Sequence, residues 1–325
     1  MNPLIREPMT ALETRLHTLV DSDVEFIKLI GDDLVSAGGK RARPQLVFLA
    51  SRAIQALTGS IDSREIDFAA VIELLHSASL LHDDLIDDAD TRRGAVTAFR
   101  RYGNVVSVFA GDFLLSKQLE VLAAFGPETS AFVKLIAETS REICEGEVLQ
   151  FQVAALETYS LEHYIKIITG KTAALAAAAT KGAAMLSGAN EDVVGALETF
   201  GLEYGRAFQI RDDLLDLMGD EATIGKPIGG DLREGKATLP LLYLLEDEDP
   251  FVREEIRSML HRRANREGDI ARARDLVNTY GAFERSKLEI MHRAEIAVDA
   301  LSILPVSPAR KELEVLAYKE AERVT

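Results

Sequence analysis

The sequence is poor in cysteine, in basic residues and in long apolar runs, and each shortage excludes a class of protein. Cys144 is the only cysteine among 325 residues, so no disulfide can form within the chain, which fits a reducing compartment. Lysine and arginine number 37 against 53 acidic residues, giving a net charge of −16. This balance favours solubility and argues against a nucleic-acid partner or an anionic membrane partner.

The sequence also lacks the segments that would direct a chain into or across a membrane. Its start, residues 1–7, has no basic stretch followed by the apolar core that a signal peptide carries. The most apolar segment, residues 172–179, is far too short to span a bilayer and is followed by Lys181. We therefore expect a cytoplasmic protein without a membrane span.

The sequence also lacks strand patterns: no segment alternates apolar and polar residues between turn-forming residues, as the strands of a hairpin would. Apolar residues instead recur at three- and four-residue spacing, which is typical of helices. The predicted helices cover about 5–19, 27–38, 44–59, 66–81, 105–125, 129–156, 159–186 with a break at Gly170, 191–217, and most of the chain beyond 238. The one long irregular stretch, 219–237, is of a length that is often functional. No Ser/Gly/Pro linker divides the chain, so we expect a single all-α domain over residues 1–325.

The motif Asp-Asp-x-x-Asp occurs twice, each time at the end of an apolar helical run. Its members are Asp83, Asp84 and Asp87, and then Asp212, Asp213 and Asp216. Residues four apart share one face of a helix, where like charges repel unless a cation lies between them. Magnesium takes oxygen ligands and is usually shared between one or two carboxylates and substrate phosphates. One such cluster could be an acidic helix end in water, but two of them, 129 residues apart (212 − 83), indicate two walls of one metal site.

Basic residues concentrate near glycines. Residues 38–44 read GGKRARP and place Lys40, Arg41 and Arg43 on a loop leading into a helix. Glycines let backbone N–H groups approach an anion, and arginine binds phosphate with two parallel hydrogen bonds. Taken alone, this loop could equally be a basic surface turn. Other cations near the motifs or in the glycine-rich stretch are Arg92, Arg93, Lys171, Lys226, Arg233 and Lys236.

These cations match neither a Walker-type nucleotide loop nor a dinucleotide fingerprint. Two carboxylate walls with several scattered phosphate-binding residues suggest a substrate that brings more than one diphosphate. His76 lies seven residues before Asp83, two helical turns away on the same face. A histidine on an apolar helix is often a core residue, and this interpretation is stronger for His82.

With these segments in hand, the chain closely resembles the trans (all-E) isoprenyl diphosphate synthases, in particular the long-chain polyprenyl enzymes of octaprenyl, solanesyl or decaprenyl type. Six motifs over about residues 38–240 follow the family's order: GGKRARP, LLHDDLIDDADTRRG, GDFLLS, GKTAAL, FQIRDDLLD and GKPIGGDLREGKATLP. The resemblance implies an all-α bundle of ten or more helices around a deep central cavity, usually as a homodimer. It also implies magnesium-dependent, head-to-tail condensation of isopentenyl diphosphate with an allylic diphosphate.

The resemblance implies a role for each motif residue. Asp83, Asp87 and Asp212 would hold about three magnesium ions on the allylic diphosphate, supported by Asp84, Asp213 and Asp216. The allylic diphosphate would be bound by Arg92, Lys171 and Lys226, with Lys236 a weaker candidate, and isopentenyl diphosphate by Lys40, Arg43, His76 and Arg93. Thr172 and Gln209 would line the space where positive charge develops on the allylic carbon. The released diphosphate, rather than a dedicated side chain, would take up the proton.

Small residues upstream of Asp83 bear on product length. Ala78 and Ser79 lie five and four positions before Asp83, and each helical turn left open adds about 5.4 Å of depth for a growing tail. In the family that the chain resembles, bulk at these positions accompanies short products, so we expect a long product of about C35 to C50, a lipid that would need delivery to a membrane. Alternatively, the two residues only permit close helix packing. Candidates for deeper or floor positions are Val71, Leu74, Leu75, Phe109, Phe113 and Phe132.

Three other functions remain open. A short-chain synthase making geranylgeranyl or farnesyl diphosphate is disfavoured by the small residues at 78 and 79. A terpene cyclase needs only one diphosphate, which leaves the residues implied to bind the second substrate without a role. A non-catalytic helical subunit would have no reason to keep six aspartates and these cations together.

Overall fold

The computed structural model describes residues 2–36, 38–92, 94–219, 228–247 and 249–322, the last residue by its backbone alone. Its helices are α1 (Arg6–Val20), α2 (Glu25–Ser36), α3 (Ala42–Thr58), α4 (Glu65–Ile86), α5 (Ala98–Tyr102), α6 (Asn104–Ala123), α7 (Thr129–Leu156), α8 (Leu161–Ile168), α9 (Ala174–Leu186), α10 (Glu191–Met218), α11 (Gly230–Arg233), α12 (Leu239–Leu245), α13 (Pro250–His261), α14 (Asp269–Thr279), α15 (Ala282–Ala300) and α16 (Pro308–Glu322). Strands β1 (Thr91–Arg92) and β2 (Ala95–Val96) form an antiparallel hairpin. The all-α fold class is thereby confirmed.

Local sequence signals set several helix ends. Ser160 precedes α8, and its side chain accepts a hydrogen bond from the His163 N–H at 3.1 Å, as N-cap residues do. Gly59 follows α3 with a φ of 78°, and its N–H donates to the Gln55 carbonyl, the left-handed helix end that glycine adopts without steric cost. These contacts explain why sequence patterns located the helices to within a few residues.

Two local features, the hairpin β1–β2 and helix α11, were not predicted from the sequence. The hairpin β1–β2 lies in a region where no strand was predicted, and its two-residue strands are too short to create a periodic pattern. Helix α11 lies within the stretch 219–237 that was predicted to be irregular. A four-residue helix has almost no intrinsic stability, and this one is fixed by contacts with Asp216, described below. Residues 220–227 of the same stretch lie outside the described residues.

The chain folds into two compact units. The first comprises Met1–Ser140, Ala178–Glu198 and Ile303–Glu312, and the second comprises Arg141–Ala177, Thr199–Ser302 and Leu313–Thr325. The first aspartate motif belongs to the first unit, and the second motif belongs to the second. Within the described residues, no helix combines the length and the apolarity needed to cross a bilayer.

Buried aromatic rings form one packed cluster in the first unit. The Phe132 ring lies 5.4 Å from Phe68 and 5.2 Å from Phe125, both edge-to-face, a favourable geometry for aromatic pairs. Gly182 of α9 completes this cluster, because a Cβ atom placed on it would lie only 2.0 Å from Phe68 Cζ. The absence of a side chain at residue 182 therefore makes room for the Phe68 ring.

We expect Gly182→Ala to destabilise the protein by about 1–3 kcal/mol, because extra volume in a packed core forces side chains off their preferred rotamers. Urea unfolding of the variant measures this cost. Gly195→Ala is the matched control: Gly195 is also helical, and its Cβ would meet nothing within 4 Å, so the higher helix propensity of alanine should leave stability equal or raised. Equal destabilisation by both substitutions would contradict the packing explanation.

Candidate functional site

The first aspartate motif lies at the C-terminal end of α4, where the three carboxylates differ in environment. Asp87 is exposed and Asp83 is half-buried, and they share one helical turn because the Asp87 N–H donates to the Asp83 carbonyl at 2.8 Å. Asp84 is only 5% exposed and accepts a hydrogen bond from Arg92 Nε. Burial raises the pKa of Asp84, while Arg92 acts in the opposite direction. The buried Asp84 carboxylate therefore has Arg92 as its charge partner, and it holds the Arg92 side chain in place.

The second motif, on α10, has one exposed and two buried carboxylates. Asp212 is exposed, whereas Asp213 and Asp216 are buried. Asp213 accepts hydrogen bonds from the Tyr164 hydroxyl and from Gln209 Nε2, both at 2.7 Å. Burial raises the pKa of Asp213 well above its usual range, the charge of Asp231 adds to the effect, and the two donors oppose it.

Exposure thus sorts the six aspartates into two groups. The accessible ones are Asp83, Asp87 and Asp212, and the buried ones are Asp84, Asp213 and Asp216. The accessible group coincides with the predicted metal ligands, and it offers the carboxylate oxygens that magnesium prefers. Across the described ranges, no group of three or more His, Cys, Asp or Glu side chains could hold a metal ion. Accessible carboxylates are nevertheless suitable magnesium ligands, because magnesium commonly completes its shell with substrate phosphates and water.

A cavity of about 100 Å³ in the second unit brings four of the predicted site residues together. This cavity, called the Lys171 cavity below, is lined by Lys171, Gln209, Asp213 and Lys236, with Asp231, Tyr159, Tyr164 and several apolar residues. Lys171 Nζ lies 2.8 Å from Glu147 Oε2, and Lys236 forms an ion pair with Glu234. Both cations are therefore anchored next to the buried Asp213.

A π-turn, Thr169–Ala173, carries both Lys171, which lines this cavity, and Thr172. The Ala174 N–H donates to the Thr169 carbonyl five residues earlier, the pattern of the π-bulges found often at functional sites. Two glycines permit the turn to touch α7: a Cβ on Gly170 would lie 2.4 Å from the Glu142 carbonyl oxygen, and one on Gly146 would lie 2.8 Å from the Lys171 nitrogen. At the break predicted at Gly170, the backbone therefore touches α7 and the helical hydrogen bonds change from i→i−4 to i→i−5.

A second cavity, of about 90 Å³, lies in the first unit and is called the His76 cavity. It is lined by His76, Asp84 and Arg92, together with Arg41, Glu73, Ser77, Leu80 and others. The same cavity is therefore lined by His76, which was predicted to bind isopentenyl diphosphate, and by Arg92, which was predicted to bind the allylic diphosphate. Lys40, which is exposed, and Arg43, which is half-buried, lie outside its lining. Arg93 and Lys226, both predicted to bind diphosphate, lie outside the described residues.

Arg41 has a structural role that the sequence did not reveal. It is 6% exposed and its guanidinium donates to Glu13 at 2.8 and 3.0 Å and to Glu73 at 2.9 Å. It also donates to the Val35 carbonyl at 3.0 Å. Because its carboxylate partners lie 28 and 32 residues away in the chain, no local pattern separates Arg41 from its neighbours Lys40 and Arg43.

We expect Arg41→Met to destabilise the protein by about 3–5 kcal/mol, because removing one partner leaves buried Glu73 without its counter-charge. Arg43→Met, two residues away and proposed to bind substrate, should cost less stability and instead raise KM for isopentenyl diphosphate. Urea unfolding and steady-state kinetics on the two variants separate the roles. A larger loss of stability for Arg43→Met than for Arg41→Met would contradict the assignment.

The side chain of His82, on α4, packs against α6. Its Nε2 is 3.3 Å from the Val108 carbonyl oxygen and 3.6 Å from Asp112 Oδ1. A Cβ on Gly111 would lie 2.3 Å from the same nitrogen. The Gly111-Asp112 pair of the GDFLLS motif therefore accommodates this histidine.

Ala78 and Ser79 lie on different faces of α4. At about 100° per residue, Ser79 is about 40° and Ala78 about 140° from Asp83 around the helix axis. Ser79 is half-buried and its hydroxyl donates to the His76 carbonyl at 2.9 Å, whereas Ala78 is 1% exposed. Ser79 is thus the better placed of the two to influence a molecule bound at Asp83.

The three phenylalanines that were considered as a cavity floor differ in how exposed they are. Phe132 is buried in the aromatic cluster of the first unit, Phe113 is half-buried, and Phe109 is 62% exposed. Phe109 therefore faces outward in the single chain.

Comparison with known proteins places this geometry in a family. The model of the polyprenyl synthetase family matches residues 24–277. The octaprenyl diphosphate synthase of Escherichia coli (strain K12) is 34% identical over 323 residues, which cover 99% of this chain and 98% of that protein. A short chain isoprenyl diphosphate synthase of Methanothermobacter thermautotrophicus is 36% identical over 311 residues, or 94% and 93% of the two chains.

Solved structures with the same fold agree. A decaprenyl diphosphate synthase from Rhodobacter capsulatus has a TM-score of 0.91 and 35% identity, covering 99% of this chain and 97% of that one. A polyprenyl synthase from Caulobacter crescentus CB15, complexed with calcium and isoprenyl diphosphate, has a TM-score of 0.90 and 36% identity, covering 99% and 96%.

Proposed function

The chain belongs to the polyprenyl synthetase family and is a prenyltransferase, and from this premise we propose that it makes a long all-trans polyprenyl diphosphate. It would condense isopentenyl diphosphate head to tail with an allylic diphosphate until the chain reaches about C35 to C50, the length for which the small residue at 79 leaves depth on α4. The observation that carries this proposal is the similarity, over nearly the whole length, to octaprenyl and decaprenyl diphosphate synthases.

The accessible aspartates would hold the divalent metal, which we propose to be magnesium. Asp83, Asp87 and Asp212 are the ligands, while Asp84 orients Arg92 through their hydrogen bond and Asp213 orients Gln209. When bound, the metal would supply positive charge to the departing diphosphate. The calcium complex of the Caulobacter crescentus protein supports a divalent-metal site in this fold.

Basic residues that line the two cavities, together with others outside their linings, would bind the diphosphates. Arg92 and Lys171, with Lys226, would hold the allylic diphosphate while its C–O bond breaks. Lys40, Arg43 and His76, with Arg93, would hold isopentenyl diphosphate as its double bond attacks the allylic carbon. Proton loss from the adduct to the released diphosphate then gives a chain one isoprene unit longer.

Thr172 and Gln209 are suited to face the positive charge that develops on the allylic carbon. The Thr172 hydroxyl donates to Gln209 Oε1 at 2.6 Å, so its hydrogen is engaged and its lone pairs are directed elsewhere. Thr172 is 9% exposed, and a site closed to water protects a reactive cation from hydrolysis.

A homodimer would cover the apolar face that α6 presents in the single chain. Val105, Phe109 and Leu119 are each at least half exposed and fall within about 80° of one another around the helix. Large apolar side chains on one exposed face often mark an interface. Sedimentation equilibrium measures the state, and a monomer would overturn this part of the proposal.

A short-chain synthase is the second candidate, favoured by the 36% identity to the Methanothermobacter thermautotrophicus protein. Product analysis decides between the two. Purified protein is incubated with Mg²⁺, labelled isopentenyl diphosphate and either geranyl or farnesyl diphosphate, and the dephosphorylated alcohols are separated by length. We expect a narrow band in the C35–C50 range. A stop at C15–C20 would replace the long-chain assignment by the short-chain one, and a lack of elongation from either primer would overturn the assignment of this chain as an active synthase.

A further inference from the structure

The backbone that follows the second aspartate motif returns to that motif at Asp216. The Gly229 N–H donates to the Asp216 carbonyl at 2.6 Å, and the Asp231 N–H donates to Asp216 Oδ2 at 3.0 Å. Asp216 therefore holds the start of the segment Gly229–Lys236, called the return turn, by both its main chain and its side chain.

The return turn packs closely against its neighbours at its first two positions, which are both glycine. Gly229 has a φ of 75°, and a Cβ on it would lie 2.5 Å from Ile270 Cδ1. A Cβ on Gly230 would lie 3.3 Å from Asp216 Oδ1. These two glycines let the turn approach Asp216 on one side and α14 on the other.

A chain of hydrogen bonds leads from Asp216 to the Lys171 cavity. Beyond Asp231, the Lys236 N–H donates to the Asp231 carbonyl at 2.8 Å, and the Tyr159 hydroxyl donates to the Gly235 carbonyl at 3.2 Å. Asp231 and Lys236 both line the cavity, beside Lys171 and Asp213. The position of Lys236 therefore depends on a turn whose first contacts are made by Asp216.

We propose that Asp216 is a positioning residue, which holds the return turn against α10. Its carboxylate is committed to a backbone N–H and is 6% exposed, in contrast to Asp212, whose side chain is 54% exposed. By fixing the return turn, Asp216 holds Lys236 and Asp231 at the wall of the cavity that would take the allylic diphosphate, a conclusion that rests on the proposed function. Two aspartates of one motif would thus have different roles, Asp212 in binding metal and Asp216 in shaping the site.

Asparagine substitution separates the two roles, because an amide oxygen can still accept the Asp231 N–H but lacks the charge that a metal ligand supplies. The measurement is calorimetric binding of inorganic diphosphate at increasing Mg²⁺ concentrations. Asp212→Asn should raise the Mg²⁺ concentration for half-maximal binding by about tenfold or more, whereas Asp216→Asn, which keeps the hydrogen-bond acceptor, should raise it much less. A shift for Asp216→Asn as large as that for Asp212→Asn would overturn the proposal.

Asp216→Ala removes the acceptor, and its effect should appear in the return turn itself. We expect faster hydrogen–deuterium exchange in peptides covering 228–236, since exchange reports local opening, and we expect Asp216→Asn to restore slow exchange. Exchange that stays slow in Asp216→Ala would show that another contact holds the turn. This measurement needs no turnover, so it tests whether Asp216 holds the return turn even if product analysis shows no elongation and the proposed function fails.

A double-mutant cycle connects the turn to substrate binding. Lys236→Met should raise KM for the allylic diphosphate in the otherwise unchanged enzyme, and it should add little in the Asp216→Ala background, because residues that act as one unit are not additive. Fully additive effects on KM would exclude an action of Asp216 through Lys236.

Discussion

Alanine in place of Asp83 or Asp212 lowers kcat about a thousandfold, because metal ions contribute several kcal/mol of charge stabilisation in the transition state and each 1.36 kcal/mol is a factor of ten. Both side chains reach solvent, so their removal leaves no buried cavity and stability should change little. The measurement is single-turnover kinetics at saturating substrate, with thermal unfolding as the check on folding.

Asp90→Ala is the matched control for these two variants. Asp90 lies seven residues after Asp83, its side chain is 81% exposed, and it forms an ion pair with Arg100 at 2.8 Å. A surface pair of this kind contributes about 1 kcal/mol or less to stability, and Asp90 belongs to neither motif. Turnover of Asp83→Ala or Asp212→Ala close to that of Asp90→Ala would reject these residues as metal ligands.

Ser79→Phe shortens the product from the C35–C50 range to about C20 or less, because the ring would stand about 6 Å along the helix from Asp83. The Ser79 hydroxyl donates a hydrogen bond to the His76 carbonyl, so this side chain is small and its polar group is already paired. The measurement is the length distribution of the dephosphorylated products from farnesyl diphosphate.

Two further variants make this test specific. Ser79→Ala should keep the long product, since it removes the hydroxyl without adding bulk. Ala78→Tyr adds bulk at the other small position, but Ala78 is 1% exposed on another face of α4, so its main effect should be an overpacking cost of about 1–3 kcal/mol in stability. An unchanged product length in Ser79→Phe would place the limit of elongation elsewhere.

The fold was predictable because most of its information is local. Apolar residues at helical spacing, glycine at helix ends such as Gly59, and the motif order located the helices and the aspartates. Helix α11 was missed because its stability comes from Asp216, outside its own sequence.

The division of labour within the two motifs was not predictable. Asp83 and Asp84 are adjacent and chemically identical, yet one is accessible and the other is buried against Arg92. The donors to Asp213 include Tyr164, 49 residues earlier in the chain. Long-range partners of this kind determine whether a carboxylate can reach a metal, and no spacing rule identifies them.

The π-turn at Thr169–Ala173 also has a consequence for the natural and laboratory evolution of this chain. A regular α-helix would connect α8 to α9 with one residue fewer and with the ordinary i to i−4 hydrogen bonds. Such a deletion would rotate everything on one side of it by about 100°, so Lys171 and Thr172 could not both keep Glu147 and Gln209 as partners. Alignments of active relatives should therefore lack gaps at these five positions, and libraries built for thermostability should hold their length fixed.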